Sequence, residues 1–211
     1  MSDAHEHSFE HDVYEPAMPE TFNGKLAMWL FLCSEVMFFS GLLGAYMTLR
    51  IGHEANFEFG HNTLHSETLF NIGPLALTAT GLAAFNTALL ITSSLTMALA
   101  VLKGQKKDKP TQRTYLLLTA LMGTMFLVLK SLEYYLKIKH GLLPNRDLFF
   151  AFYWTLTAIH GVHILAGVIP ILGLWYFSHK RDVSHETEMI GLYWHFVDLV
   201  WIFLFPLLYL I

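Results

Sequence analysis

GLYWHFVDLVWIFLFPLLYLI, residues 191–211, closes the chain. All of it is apolar or aromatic, glycine or proline, save His195 and Asp198. At 1.5 Å per residue the run makes a helix of about 30 Å, enough to cross the hydrocarbon core of a bilayer. An imidazole and a carboxylate three residues apart share one helical face. Lodged in lipid, each is expensive enough to need a physical reason.

Working outward, the rest of the chain is of the same kind. It has 211 residues, one domain's worth of length. Hydrophobic residues make up 54% and charged ones 14%, where soluble domains carry about 25% charged residues. The composition predicts an all-α fold, a polytopic membrane helix bundle with five transmembrane helices at about 25–50, 72–102, 114–137, 148–178 and 188–211. The alternation of a membrane β-barrel strand is missing from these runs. A formal net charge of −4 and the lack of a basic stripe argue against a nucleic-acid partner. The one cysteine, Cys33, lies in an apolar run and reads as a small hydrophobe.

Orientation follows from the basic residues near the ends of the spans. Lys25, Lys103, Lys106, Lys107, Lys109, Arg113, Lys180 and Arg181 fall on one side. Arg50, Lys137, Lys139 and Arg146 fall on the other. Eight against four predicts the N-terminus in the cytoplasm and the C-terminus outside. Residues 1–23 are acidic and His-rich, without the basic start and short apolar core of a secretory signal. They read as a polar tail, with His5, His7 and His11 as a weak metal-binding alternative.

The groups that need explaining are Glu35, Lys130, Glu133, His160, His163, His195 and Asp198, all within spans. Helical spacing of three puts Lys130 with Glu133, His160 with His163, and His195 with Asp198. Glu35 and His163 both fall mid-membrane and are expected to pair. Three readings compete. A catalytic metal site could use His160, His163, His195, Asp198 and Glu35, but the paired Glu-x-x-His of di-iron bundles is missing. A proton or ion relay would need more groups at better-matched depths. The favoured reading is structural, with polar groups bonding across helices and fixing their packing. Gly41, Gly44 and Ala45 in the first span, and Gly161, Ala166 and Gly167 in the fourth, are expected to admit close neighbours. Tyr193, Trp194, Trp201, Phe203 and Phe205 are expected on a surface facing lipid or a partner.

Five stretches together resemble subunit III of the heme-copper oxidases. They are FLCSEVMFFSGLLGAYM (31–47), FNTALLITSSLT (85–96), SLEYY (131–135), HGVHILAG (160–167) and YWHFVDLVWIFLF (193–205). Their order is the family's, and they span nearly all of the chain beyond residue 23. The resemblance implies a non-catalytic membrane subunit with no heme or copper of its own. It would pack beside oxidase subunits I and II, with the hemes and copper expected in those partners. It would stabilise subunit I, support its proton uptake and protect its active site during turnover, in a complex that reduces oxygen to water and pumps protons. The family also binds phospholipid in a cleft between helices. Glu35, Glu133, His160, His163, Glu188, His195 and Asp198 match family positions that are not redox ligands.

Two departures bear on these expectations. The chain is similar to the five-helix bacterial form, which lacks two helices that wall the lipid cleft in longer members. Ala158-Ile159 stands where Gly-Phe is frequent. The implied setting is aerobic respiration in the bacterial cytoplasmic membrane. The closing motif resembles cytochrome c oxidases more than quinol oxidases, which are the alternative. A membrane metal enzyme and an accessory subunit of a nitric oxide reductase are the remaining readings.

Overall fold

The computed structural model describes residues 20–66, 68–72 and 75–210, with side chains described for 24–64 and 78–210. The reading of residues 1–23 as a His-rich tail lies outside the described side chains. The elements are α1 (Glu20–Gly52), α2 (Glu54–Ser66), β1 (Thr68–Ile72), β2 (Leu75–Thr78), α3 (Ala79–Gln105), α4 (Lys109–Lys139), α5 (Leu148–Phe177) and α6 (Ser184–Tyr209). All but α2 among the helices are long and apolar enough to cross a membrane, which gives the five expected spans.

Two features depart from the sequence reading. Helix α3 starts at Ala79 rather than near residue 72, because Thr78 caps it, its hydroxyl accepting from Gly81 N at 3.1 Å. The residues before it form a small antiparallel hairpin, β1 with β2. Helix α2 was also unforeseen. It buries Phe57 and Leu64 on one face, and its Gly60 lies so close to Phe149 that a Cβ would meet that ring at 2.7 Å.

The helix ends have local causes. Between α3 and α4 the turn is tight, with Lys107 at φ 58. Asp108 caps α4 and Pro110 sits in its first turn, where a missing N–H costs nothing. Hydrogen bonding from the Thr111 side chain, with Lys103 adding to it, holds the Asp108 carboxyl below its ordinary range. Gly141, at φ 73, turns the chain after α4. Pro170 and Pro206 lie inside α5 and α6, as packed membrane helices tolerate.

Helices α3 to α6 form the packed body, and Trp194 of α6 is its centre. The indole is fully buried and donates to Ser93 Oγ at 3.1 Å. Its ring fills space left by two glycines. A Cβ on Gly123 would meet Trp194 Cη2 at 2.6 Å, and one on Gly167 would meet its Cε3 at 2.8 Å. Gly167 is thus one of the expected close-approach glycines, whereas Gly41, Gly44 and Gly161 face open space. The aromatic expectation also needs correcting. Tyr193, Trp194 and Trp201 are core, while Phe203 faces outward. Aromatic faces supply the bulk that a closely packed interior needs.

Cross-helix bonds define the two ends of the bundle. At the end expected to face the cytoplasm, Lys25 pairs with Glu188 at 2.9 Å and Gln112 donates to Thr187 at 3.1 Å. Arg113 bonds His179 at the same end. At the other end Tyr46 Oη donates to Leu207 O at 3.2 Å, tying α1 to α6.

Candidate functional site

The ionisable residues inside the spans fall into separate clusters. The largest centres on Glu133 of α4, whose side chain is fully buried. Lys130 Nζ donates to its Oε2 at 2.9 Å, and Lys137 Nζ to its Oε1 at 2.8 Å. The hydroxyls of Tyr153 (α5) and Tyr209 (α6) donate to Oε1 at 2.7 and 2.9 Å. Each ammonium also lies against an aromatic face, Lys130 over Trp201 at 4.8 Å and Lys137 over Tyr153 at 3.8 Å. One carboxylate thus joins three helices. A buried charge is tolerable when its partners are this numerous.

The i, i+3 spacing foretells Lys130 beside Glu133. It does not foretell Tyr153 or Tyr209, which come from distant parts of the chain. Lys137, counted above among the basic residues near the span ends, is fully buried. Its i, i+4 spacing from Glu133 was the available signal.

The second cluster joins α1 to α5. Glu35 Oε2 and His163 Nε2 are 3.1 Å apart. His163 Nδ1 faces the Ile159 carbonyl at 2.8 Å, so Nδ1 carries a hydrogen. Phe39 packs edge-on against this imidazole, with centroids 5.1 Å apart.

His160, one turn before His163, has a different environment. It is fully buried, and neither ring nitrogen has a hydrogen-bond partner among the described residues. Its ring stacks on Trp201 at 5.0 Å and meets Phe126 edge-on at 5.9 Å. The imidazole packs here as an aromatic plate.

His195 and Asp198 do not bond to each other. His195 Nδ1 lies 2.6 Å from Ser94 Oγ on α3. Asp198 is buried, and neither carboxylate oxygen has a bond of normal geometry among the described residues. Glu188 is the half-exposed partner of Lys25.

The donor set imagined for a metal enzyme is therefore dispersed. His163 is bound to Glu35, His195 to Ser94, and His160 is stacked against Trp201. Among the described residues no three of His, Cys, Asp and Glu gather as a metal would require.

Fold and sites define an integral, polytopic helical membrane protein with its ionisable groups distributed between helices. The family model for cytochrome c oxidase subunit III matches residues 11–211. The chain is 30% identical to subunit 3 of the cytochrome bo(3) ubiquinol oxidase of Pseudomonas aeruginosa, over all of this chain and 94% of that one. It is 34% identical to cytochrome c oxidase subunit 3 of Thermostichus vulcanus, over 88% of this chain and 86% of that one. With the Corynebacterium diphtheriae cytochrome c oxidase subunit 3 the identity is 32%, over 86% and 85%. The chain belongs to the cytochrome c oxidase subunit III family.

Proposed function

We propose that this chain is the non-catalytic third subunit of a proton-pumping heme-copper terminal oxidase in a bacterial cytoplasmic membrane. It stabilises subunit I and supports its proton uptake, in an assembly that also contains subunit II. The hemes and copper belong to those partners. The carrying observation is the family match over residues 11–211, on a five-span bundle whose acids and imidazoles are dispersed rather than gathered. Phospholipid covers the outward apolar side chains, such as Met37 and Ile51 of α1 and Ile169 of α5.

The N-terminus is cytoplasmic and the C-terminus outside. Burial of Lys137 against Glu133 strengthens this, because it leaves Arg50, Lys139 and Arg146 against the eight basic residues of the other face. Reduced cytochrome c is the electron donor, on the resemblance of the closing motif at Tyr193–Phe205. The named relatives include both cytochrome c and quinol oxidases at similar identity, so the donor needs its own assay.

Purification through a tag on this chain in mild detergent is expected to bring heme with it. The complex is expected to consume oxygen with reduced cytochrome c. A heme-free preparation with stoichiometric iron or zinc on the chain itself would overturn the reading. Turnover with a quinol alone would overturn only the donor.

A further inference from the structure

A groove runs along the outer side of the α3–α6 contact, with a volume of about 350 Å³. Ile91, Ser94, Leu95 and Ala98 line it from α3, and His195, Asp198, Leu199 and Ile202 from α6. Each set is spaced i, i+3, i+4, i+7, which is one continuous helical face. Ile91, Leu95, Leu199 and Ile202 are exposed and form the rims. Ser94, His195 and Asp198 supply its polar groups. Ser94 is 15 residues into the 27 of α3, and Asp198 is 14 into the 26 of α6. Both positions are therefore near the middle of the bilayer.

Asp198 is the unusual member. It is only 4% exposed and lines the groove, yet neither oxygen has a bond of normal geometry among the described residues. Ser94 is its hydroxyl neighbour, but Ser94 has one hydrogen and already lies 2.6 Å from His195 Nδ1. If His195 donates to Ser94, the hydroxyl hydrogen can turn to Asp198 and fill one acceptor site. The rest of the carboxyl, which offers about four lone-pair sites when ionised, still has no donor. At this depth water is scarce and acyl chains have nothing to donate. Lipid headgroups sit roughly 15 Å away, half the hydrocarbon thickness. A second copy of this chain docked through the same patch would bring one Asp198 towards another, the wrong complement. What fits is a foreign helix with a donor at that height.

We propose that the α3–α6 groove is where a transmembrane helix of a neighbouring oxidase subunit docks, placing a hydroxyl, amide or cationic side chain against Asp198. This rests on reading the chain as an oxidase subunit. The rims supply apolar packing area, and the polar floor sets the register, as polar residues do between membrane helices.

The test uses the tagged full chain in its native membrane. A photoactivatable benzophenone amino acid is placed at Leu95 or Ile202 on the rims, and at Leu121 or Val128 on the exposed face of α4 as control. Cross-links from the two rim positions to a heme-bearing subunit of the complex, and not from the α4 positions, are expected. Rim cross-links to lipid alone or to a second copy of this chain overturn the proposal, as do cross-links to that subunit from α4 alone. In parallel, Asp198→Leu is expected to lower heme recovered per tagged chain about tenfold, since it strands the partner's donor. Asp198→Asn, which still offers an acceptor, is expected to retain most of it. Full heme recovery with Asp198→Leu overturns the proposal. Should Asp198→Leu fail to fold, the cross-links decide alone, because they leave Asp198 in place. Absence of heme from the unsubstituted tagged complex would instead remove the oxidase reading itself.

Discussion

Glu133 and Asp198 are both carboxylates buried in apolar helices, and the bundle treats them in opposite ways. Glu133 receives two ammoniums and two phenolic hydroxyls, all from within the chain. Asp198 receives no bond of normal geometry from the described residues and lies beside an outward groove. The first acid satisfies itself by joining α4, α5 and α6. The second is left for something outside. Position explains part of the contrast. Glu133 sits near a helix end, where Lys137 and Tyr209 can reach it, and Asp198 sits where the neighbours on α3 are small hydroxyls and aliphatics. Buried polar groups that are satisfied hold a fold together, whereas an unsatisfied carboxyl that lines an outward groove has room for a donor from outside.

The largest effect expected from breaking this contrast is at Glu133. Glu133→Leu strips two buried lysines of their counter-charge, a loss of about 3–5 kcal/mol. Thermal unfolding in detergent is expected to fall steeply or the protein to fail to accumulate. A variant as stable as the parent would show that the network is not structural. Next in size is the packing around Trp194. Gly123→Ala forces a methyl into a ring only 2.6 Å away, costing about 1–3 kcal/mol. Gly161→Ala, which meets nothing within 4 Å, is expected to leave the melting temperature unchanged. Equal effects from both would refute the close-approach account.

Smaller effects belong to the ends of the bundle. Lys25 and Glu188 pair at 2.9 Å while each stays more than a third exposed. Lys25→Ala is expected to change stability by about 0.5 kcal/mol or less, an effect that high salt erases. The smallest concerns the loops. Ser184, through its hydroxyl at 2.6 Å and then its backbone N–H, holds Asp182 below the ordinary carboxylate range. A depressed folded value means the contribution is complete above the unfolded value, about 3.9, and is lost as pH falls below it through the folded one. An acid titration of Asp182→Asn should therefore be slightly flatter than that of the parent below about pH 4. Superimposable titrations would remove this contribution.

The sequence reveals the spans because five apolar runs of bilayer length admit few other folds. It reveals Glu35 with His163 through depth alone, and Lys130 with Glu133 through helical spacing. Helix α2 stays hidden because Phe57, Gly60 and Leu64 make a short apolar face among polar residues. Tyr153 and Tyr209 stay hidden because they reach Glu133 from 20 and 76 residues away, and no local period encodes that. Ser94 lies within the 85–96 motif of the second span. Its pairing with His195 depends on the register of two helices that only the packed bundle fixes. The burial of Trp194 and Trp201 was missed for a related reason: hydropathy alone does not tell a lipid-facing aromatic from a core one.

The contrast between the two acids is tested most directly by thermal unfolding of the full chain, expressed without its partners, carrying Asp198→Leu beside Glu133→Leu. Removing an acid with no internal partner should leave the melting temperature unchanged or higher, since a buried polar group without a donor gives way to an aliphatic side chain in apolar surroundings. Glu133→Leu should lower it sharply. If Asp198→Leu lowers it as much as Glu133→Leu does, Asp198 is an internal tie of this chain, and its assignment to an outside partner is wrong.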